Sequence, residues 1–306
     1  MTGKRIQHLK SISEFHRSRG LKAPEHPLIS VVDYADVSLT EDAIGCSWVY
    51  DFYSIAIKRN LNAKLHYGQQ DYDFDEGVMF FIAPGQVFSI SFDGADRWEK
   101  SGWILLVHPD FLWHTPLGKN IGRYEYFGYS VHEALHLSEK EEARMKGIIE
   151  NIEQEYHNNL DNFSQTIVVS LLETLLSYAD RFYQRQFITR KISNHEVLER
   201  FEIVLNEYFA AERQLNSGLP SVQYIAASLN LSPNYLSGLL KNLTGQSTQQ
   251  HIHDFLIERA KEKLAATRLS VSEIAYELGF EHSQSFSKLF KMKTQVSPLA
   301  FRARFN

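Results

Sequence analysis

Hydrophobic positions along the chain change their period after about residue 137. From about Pro27 to Tyr129, short runs rich in β-branched and aromatic residues recur at 28–34, 47–58, 63–67, 78–83, 86–92, 102–108 and 123–129. Turn residues separate them, as at Asp75–Gly77, Pro84-Gly85 and Asp93-Gly94. Many short strands at near-regular spacing predict a sandwich or small barrel. The polar residues 1–25 are expected to begin with a short helix. After Leu137 the apolar spacing becomes helical. Ser138 and Glu141 have the spacing of a capping box, and Met145, Ile148, Ile149, Ile152 and Tyr156 follow on one face. Further helices are predicted over about 162–186 and 194–212. Residues 187–193 read as a hinge, and 215–220 as a polar connection with Gly and Pro.

Residues 221–294 contain a repeated unit. Ile225 aligns with Ile274, Ala226 with Ala275, Leu229 with Leu278 and Leu231 with Phe280, an offset of 49. Beyond the turn the offset is 50, pairing Leu236 with Phe286, Leu239 with Leu289 and Leu240 with Phe290. Each copy reads as a helix-turn-helix. A small residue, Ala226 or Ala275, lets the second helix approach. Asn230 or Gly279 stands where the backbone needs a positive φ. The second helix buries its Leu or Phe pair and leaves a polar face. That face offers Asn234, Ser237, Gly238 and Lys241 in copy one. In copy two it offers His282, Gln284, Ser285, Lys288 and Lys291. Between the copies a helix is predicted over 248–266, with Ser247 and Gln250 as its capping box. Nineteen residues at ~1.5 Å each span about 28 Å, against about 34 Å between successive major-groove faces of B-DNA. One chain is thus expected to address two adjacent major grooves.

Charge changes the picture. The net charge of -5 argues against a nucleic-acid binder when taken whole. Residues 221–306, however, hold ten Lys/Arg against six Asp/Glu, a net of +4, and the remaining residues carry -9. Polyanion binding is therefore expected at the C-terminal end. The single cysteine, Cys46, excludes an intramolecular disulfide and a Cys-x-x-Cys metal site. The first residues lack the apolar stretch of a signal peptide. The longest apolar runs also fall short of the roughly 18–20 residues that span a bilayer. A cytoplasmic protein with no membrane partner is expected.

The stretches 270–280 (SVSEIAYELGF), 286–291 (FSKLFK) and 296–302 (VSPLAFR) resemble the DNA-binding domain of the AraC/XylS family of bacterial transcription regulators, over about residues 200–306. Residues 76–85 (EGVMFFIAPG) and 102–112 (GWILLVHPDFL) are similar, more weakly, to the cupin-like sensor half of such regulators. The resemblance implies a multidomain chain. Residues 1–137 would form a mainly antiparallel β cupin-like barrel that binds an effector. Residues 138–192 would form a helical dimerisation element. Residues 193–306 would form an all-α double helix-turn-helix domain with its first motif at 221–244, a linker helix at 248–266 and its second motif at 271–292. It also implies double-stranded promoter DNA as partner, with RNA polymerase, a small-molecule effector and a second copy of the chain as further partners. In two places the sequence departs from the family. Gln295 stands where Gly is usual, and Gly238 where a longer polar residue is common.

Candidate chemistry follows from residue type. Lys241, Lys288 and Lys291 suit phosphate contacts, and Gln284 suits a bidentate pair with adenine or a helix cap. Arg302 is expected to pack or to meet phosphate. His251 and His253 face about 200° apart on a helix and cannot share one ion. His66, His108 and His114 lack the His-x-His pair that metal-dependent cupins need, so no metal, cofactor or catalytic residue is expected, and a cupin-type enzyme is the weaker alternative. Trp48, Tyr53, His66, Phe80 and Trp103 are candidates to line an effector cavity, or else plain core. Met145, Ile148 and Ile152 are a dimer seam or an intramolecular packing face. A regulator without an effector, whose N-terminal half only dimerises, and a polymerase-recruiting protein with little DNA selectivity remain as rival readings.

Overall fold

The computed structural model describes residues 6–38, 46–59, 77–89, 101–129, 133–157, 163–189 and 191–304. The chain divides into two units, residues 1–186 and 187–306. The cut falls inside a helix, later than the expected boundary at residue 137 and just before the one at 192.

Among the described residues the first unit begins with β1 (Ile6–Leu9) and α1 (Ile12–Ser18), so a strand precedes the expected helix. Ser11 caps α1 by accepting from the Glu14 N–H. Then come β2 (Ile29–Asp33), β3 (Ser47–Tyr50), β4 (Tyr53–Arg59), β5 (Gly77–Ile82), β6 (Val87–Ser89) and β7 (Ser101–Val107). A short helix α2 (Pro116–Asn120), β8 (Leu135–Leu137), α3 (Glu139–His157) and α4 (Ser164–Thr189) complete it. The strand expected at 63–67 lies outside the described residues, as does His66. The run at 47–58 is two strands, because a bend at Asp51-Phe52 sends β3 and β4 into different sheets. The aromatic run at 123–129 is not a strand. It forms 3-10 turns at Ile121–Arg123 and Glu125–Gly128 that lay Tyr126 and Phe127 against Phe81 of β5.

Among the described residues the strands form two sheets, β1-β3-β6 and β2-β7-β4-β5-β8. The larger is antiparallel throughout, and β1 runs parallel to β3 in the smaller. These strands make two open sheets, so the closed barrel expected from the resemblance is not seen among the described residues. A core of Trp48, Tyr50 and Phe88 from the small sheet meets Val32, Ala56, Ile104 and Leu106 from the large one. Aromatic side chains of the turns and of α4 cover part of the other face of the large sheet, and α3 packs on β2 and β8.

Strand register corrects the expected effector set. Facing residues in a ladder share a side of the sheet, and the side alternates along a strand. Phe80 faces Ala56 and so points with it toward the small sheet and Trp48. Tyr53 and Trp103 lie on the opposite, helix-covered side, Trp103 facing Ile57 and Tyr53 touching Phe127. The four described candidates therefore cannot line one cavity. The dimer seam is corrected too. Met145, Ile148 and Ile152 are 0%, 8% and 0% exposed within the single chain, so the stripe is an intramolecular packing face.

The second unit begins at Phe187 and is helical. Its elements are α5 (Lys191–Ala210), α6 (Arg213–Ser217), α7 (Val222–Ser228), α8 (Pro233–Thr244), α9 (Thr248–Ala266), α10 (Val271–Glu277), α11 (Ser283–Thr294) and α12 (Pro298–Arg302). The expected hinge at 187–193 is helical on both sides of residue 190. The expected connection at 215–220 begins as the end of α6, fastened by the Tyr208 hydroxyl donating to the Gly218 carbonyl at 2.9 Å. No helix among the described residues is long and apolar enough to cross a membrane.

Candidate nucleic-acid interface

Helices α7–α8 and α10–α11 have the same construction. Each first helix is capped by a serine, Ser221 or Ser270, and Glu273 completes a capping box on the latter. Each ends on a residue of positive φ, Asn230 at +57° and Gly279 at +89°. Just past it the Leu231 N–H donates to the Ala226 carbonyl at 2.9 Å, and the Phe280 N–H to the Ala275 carbonyl at 3.0 Å. These bonds close both turns alike. At Gly279 an added Cβ would sit 3.0 Å from the Gln214 side chain and from the Gly218 backbone, so the close approach of the α6 end also demands glycine.

The second helices are held by their apolar faces. Leu236 and Leu240 of α8, and Phe286 and Phe290 of α11, are fully buried. Phe286 lies 5.4 Å from Phe280 and 5.8 Å from Phe290, and Phe290 lies 5.5 Å from Phe301 of α12. The predicted helix at 248–266 has these bounds in α9, and its Ser247–Gln250 capping box is present. α9 packs against α8, α10, α11 and α12 and so fixes the two motifs within one unit.

The opposite faces of α8 and α11 carry the sequence-derived candidates. Asn234 and Lys241 are exposed on α8. His282, Gln284, Ser285, Lys288 and Lys291 are exposed on or beside α11. His282 is the N-cap residue, yet its imidazole makes no capping bond, so its ring is not committed to the helix. Two residues depart from the expected face. Gly238 is buried, and the Ser237 hydroxyl is half-buried and bonded to Thr248 Oγ1 at 3.1 Å, which joins α8 to α9.

Ion pairing separates structural from free lysines. Lys263 pairs with Glu277 at 2.6 Å and Lys293 with Asp254 at 2.6 Å. Lys241, Lys288 and Lys291 are in no ion pair among the described residues. Arg302 packs: its Nε donates to the Leu264 carbonyl at 3.3 Å and its Nη2 to the Leu269 carbonyl at 2.6 Å. The histidines on α9 serve different partners, His251 with Thr244 Oγ1 at 2.8 Å and His253 with Gln249 at 3.0 Å. Burial holds both imidazoles below the ordinary histidine value. Arg268, exposed just before α10, is a further cation; lying in a connection, it leaves no signal in the helical period.

In the first unit His108 caps a turn by accepting from the Asp110 N–H at 3.2 Å, and His114 sits at φ +63°. Among the described residues no three His, Cys, Asp or Glu side chains are grouped to hold a metal ion.

Two helix-turn-helix motifs on a shared linker helix define a double helix-turn-helix domain. Residues 225–304 match the family described as helix-turn-helix domain. The chain carries an AraC-type helix-turn-helix domain at its C-terminal end. It is 28% identical over 146 residues to the uncharacterised HTH-type transcriptional regulator YfiF of Bacillus subtilis (strain 168), covering 48% of this chain and 43% of that protein. It is 31% identical over 121 residues to the HTH-type transcriptional activator RhaS of Escherichia coli O139:H28 (strain E24377A / ETEC), covering 40% and 44%. The chain thus spans less than half the length of these two relatives. A solved structure, the C-terminal domain of the two-component response regulator yesN from Fusobacterium nucleatum, is 27% identical. It covers 35% of this chain and 98% of that one, at a TM-score of 0.31.

Proposed function

We propose that this chain is a sequence-specific DNA-binding transcription regulator that sets α8 and α11 into successive major grooves. Lys241, Lys288 and Lys291 neutralise phosphates, which supplies affinity and salt dependence. Asn234, His282, Gln284 and Ser285 meet base edges or neighbouring phosphates, and the Gln284 amide carries the donor and acceptor that a bidentate pair with adenine needs. Ser237 contributes through the α8–α9 junction. The observation that carries this reading is the set of three exposed lysines, free of carboxylates among the described residues, on the second helices of a duplicated motif. The domain match supports it. In the same reading the first unit binds a small-molecule effector that favours one of two states differing in DNA affinity, and RNA polymerase is the partner at the promoter.

The test is capture of genomic fragments by the full chain at about 0.15 M salt, a condition that screens weak surface contacts. Enrichment of a few promoters with a shared motif is expected. Uniform recovery of random fragments would remove sequence specificity from the account.

A further inference from the structure

The first unit buries a cation that no carboxylate among the described residues neutralises. Arg19 follows α1 and is 4% exposed. Its guanidinium lies 4.0 Å from the centre of the Trp48 ring and 5.6 Å from that of Phe15. Nη2 donates to the Tyr50 hydroxyl at 3.5 Å, a long bond, and the buried Nη1 has no hydrogen-bond partner among the described residues. No carboxylate pairs with Arg19 among the described residues. Tyr50 is not a hidden counter-ion either. Burial pushes its hydroxyl above the ordinary tyrosine value, against the pull of Arg19, so it stays neutral. A buried charge without a partner is costly, and aromatic faces offset only part of that cost.

A second cation is on the same side. Lys58 faces Val78 and Gly102 across its ladders, which puts it on the same side of the large sheet as Ala56 and Ile104, toward the small sheet. Its Nζ lies 4.5 Å from the centre of the buried Tyr34 ring and 5.7 Å from that of Phe80, and it too is in no ion pair among the described residues. Two cations on aromatic rings, with the Tyr50 hydroxyl beside one of them, therefore belong to the inter-sheet side. A guanidinium has the planar fork that matches a carboxylate.

We infer that the inter-sheet core of the first unit takes a small organic carboxylate, its anionic group on Arg19 with Lys58 as the second cation, and its apolar body against Trp48 and Phe80. The inference rests on reading this unit as the effector-binding part. It names the ligand's chemical class and reassigns the contact residues: Trp48 and Phe80 stay, Tyr53 and Trp103 go.

The test titrates the full chain, without DNA, with sodium benzoate and sodium octanoate, and in parallel with the neutral amides benzamide and octanamide. Thermal midpoint and tryptophan fluorescence are followed. At least one carboxylate is expected to give a saturable shift that its amide does not. Arg19→Met is expected to fold with an undiminished thermal midpoint, because it replaces an unpaired charge by an apolar chain of similar length. It should weaken carboxylate binding by about ten-fold or more, the usual loss for a charged hydrogen bond. If Arg19→Met does not fold, Arg19→Lys decides, since it keeps the charge and loses the fork; the same weakening is expected. Carboxylates that act no differently from their amides overturn the site, and so does unchanged binding in the variant that folds. Repeating the titration on captured promoter DNA separates the two proposals. Binding at Arg19 without a change in DNA affinity supports the site and removes its role as effector site. Intact DNA binding without a carboxylate response removes the site and leaves the DNA-binding reading standing.

Discussion

Gln295 ends α11 in the left-handed conformation in which Gly245 ends α8, with φ of +63° and +77°. Each N–H donates to a lysine carbonyl four residues back, Lys291 at 2.8 Å and Lys241 at 2.9 Å. The two caps are equivalent, but one uses a residue that disfavours this conformation. Gln295 recovers part of the cost through its side-chain amide, which donates to the Met292 carbonyl at 3.0 Å. Gln295→Gly is therefore expected to raise stability by about 0.5–1 kcal/mol in urea unfolding. A loss of stability would mean that the side-chain bond outweighs the backbone strain.

The lysines divide by ion pairing, and salt dependence of DNA binding should divide the same way. Lys288→Ala and Lys291→Ala are each expected to lower the salt slope by about 1. Lys293→Ala, which breaks the pair with Asp254, is expected to leave the slope unchanged. Equal effects of all three on fluorescence-anisotropy titrations would show that pairing does not mark the interface.

Burial of the α3 stripe makes a distinct prediction. Ile152→Ala is expected to cost about 2–5 kcal/mol of stability, as for other buried large-to-small changes, and to leave the oligomeric state unchanged in analytical ultracentrifugation. A stable variant with altered mass would restore the stripe as a seam between copies.

His251 and His253 offer a pH test. Burial lowers both values in the folded chain, so the unfolded chain binds protons first as pH falls. Their contribution is fully present above the ordinary value of 6.5 and is lost as pH drops through the lowered folded values. Imidazole titrations followed by NMR are expected to give midpoints below 6.5. Midpoints above it would mean that Asp254 and Glu202 outweigh burial at His251, and Asp254 at His253.

The second unit was legible because its signals agree at every level. The small residue, the positive-φ residue and the apolar pair recur in both copies, and Ser247 with Gln250 marks the start of α9 correctly. The first unit was less so. The aromatic run at 123–129 has strand composition, yet packing on Phe81 draws it into 3-10 turns. Aromatic type alone placed Tyr53 and Trp103 beside Phe80, while the alternation of the sheet sets them on opposite faces. Arg19 left no trace in the pattern, since arginine at a helix end is ordinarily a surface residue. The spacing of Gly238 puts it on the polar face, but the neighbouring core buries it.

The central claim is that both motifs engage one duplex. Hydroxyl-radical footprinting of the full chain on a captured promoter tests it most directly. Two protected segments are expected on one face of the DNA, about 10–10.5 base pairs apart. Gln284→Ala should weaken protection in one of them only. A single protected segment, unchanged in extent when either α8 or α11 is altered, would contradict two-groove binding.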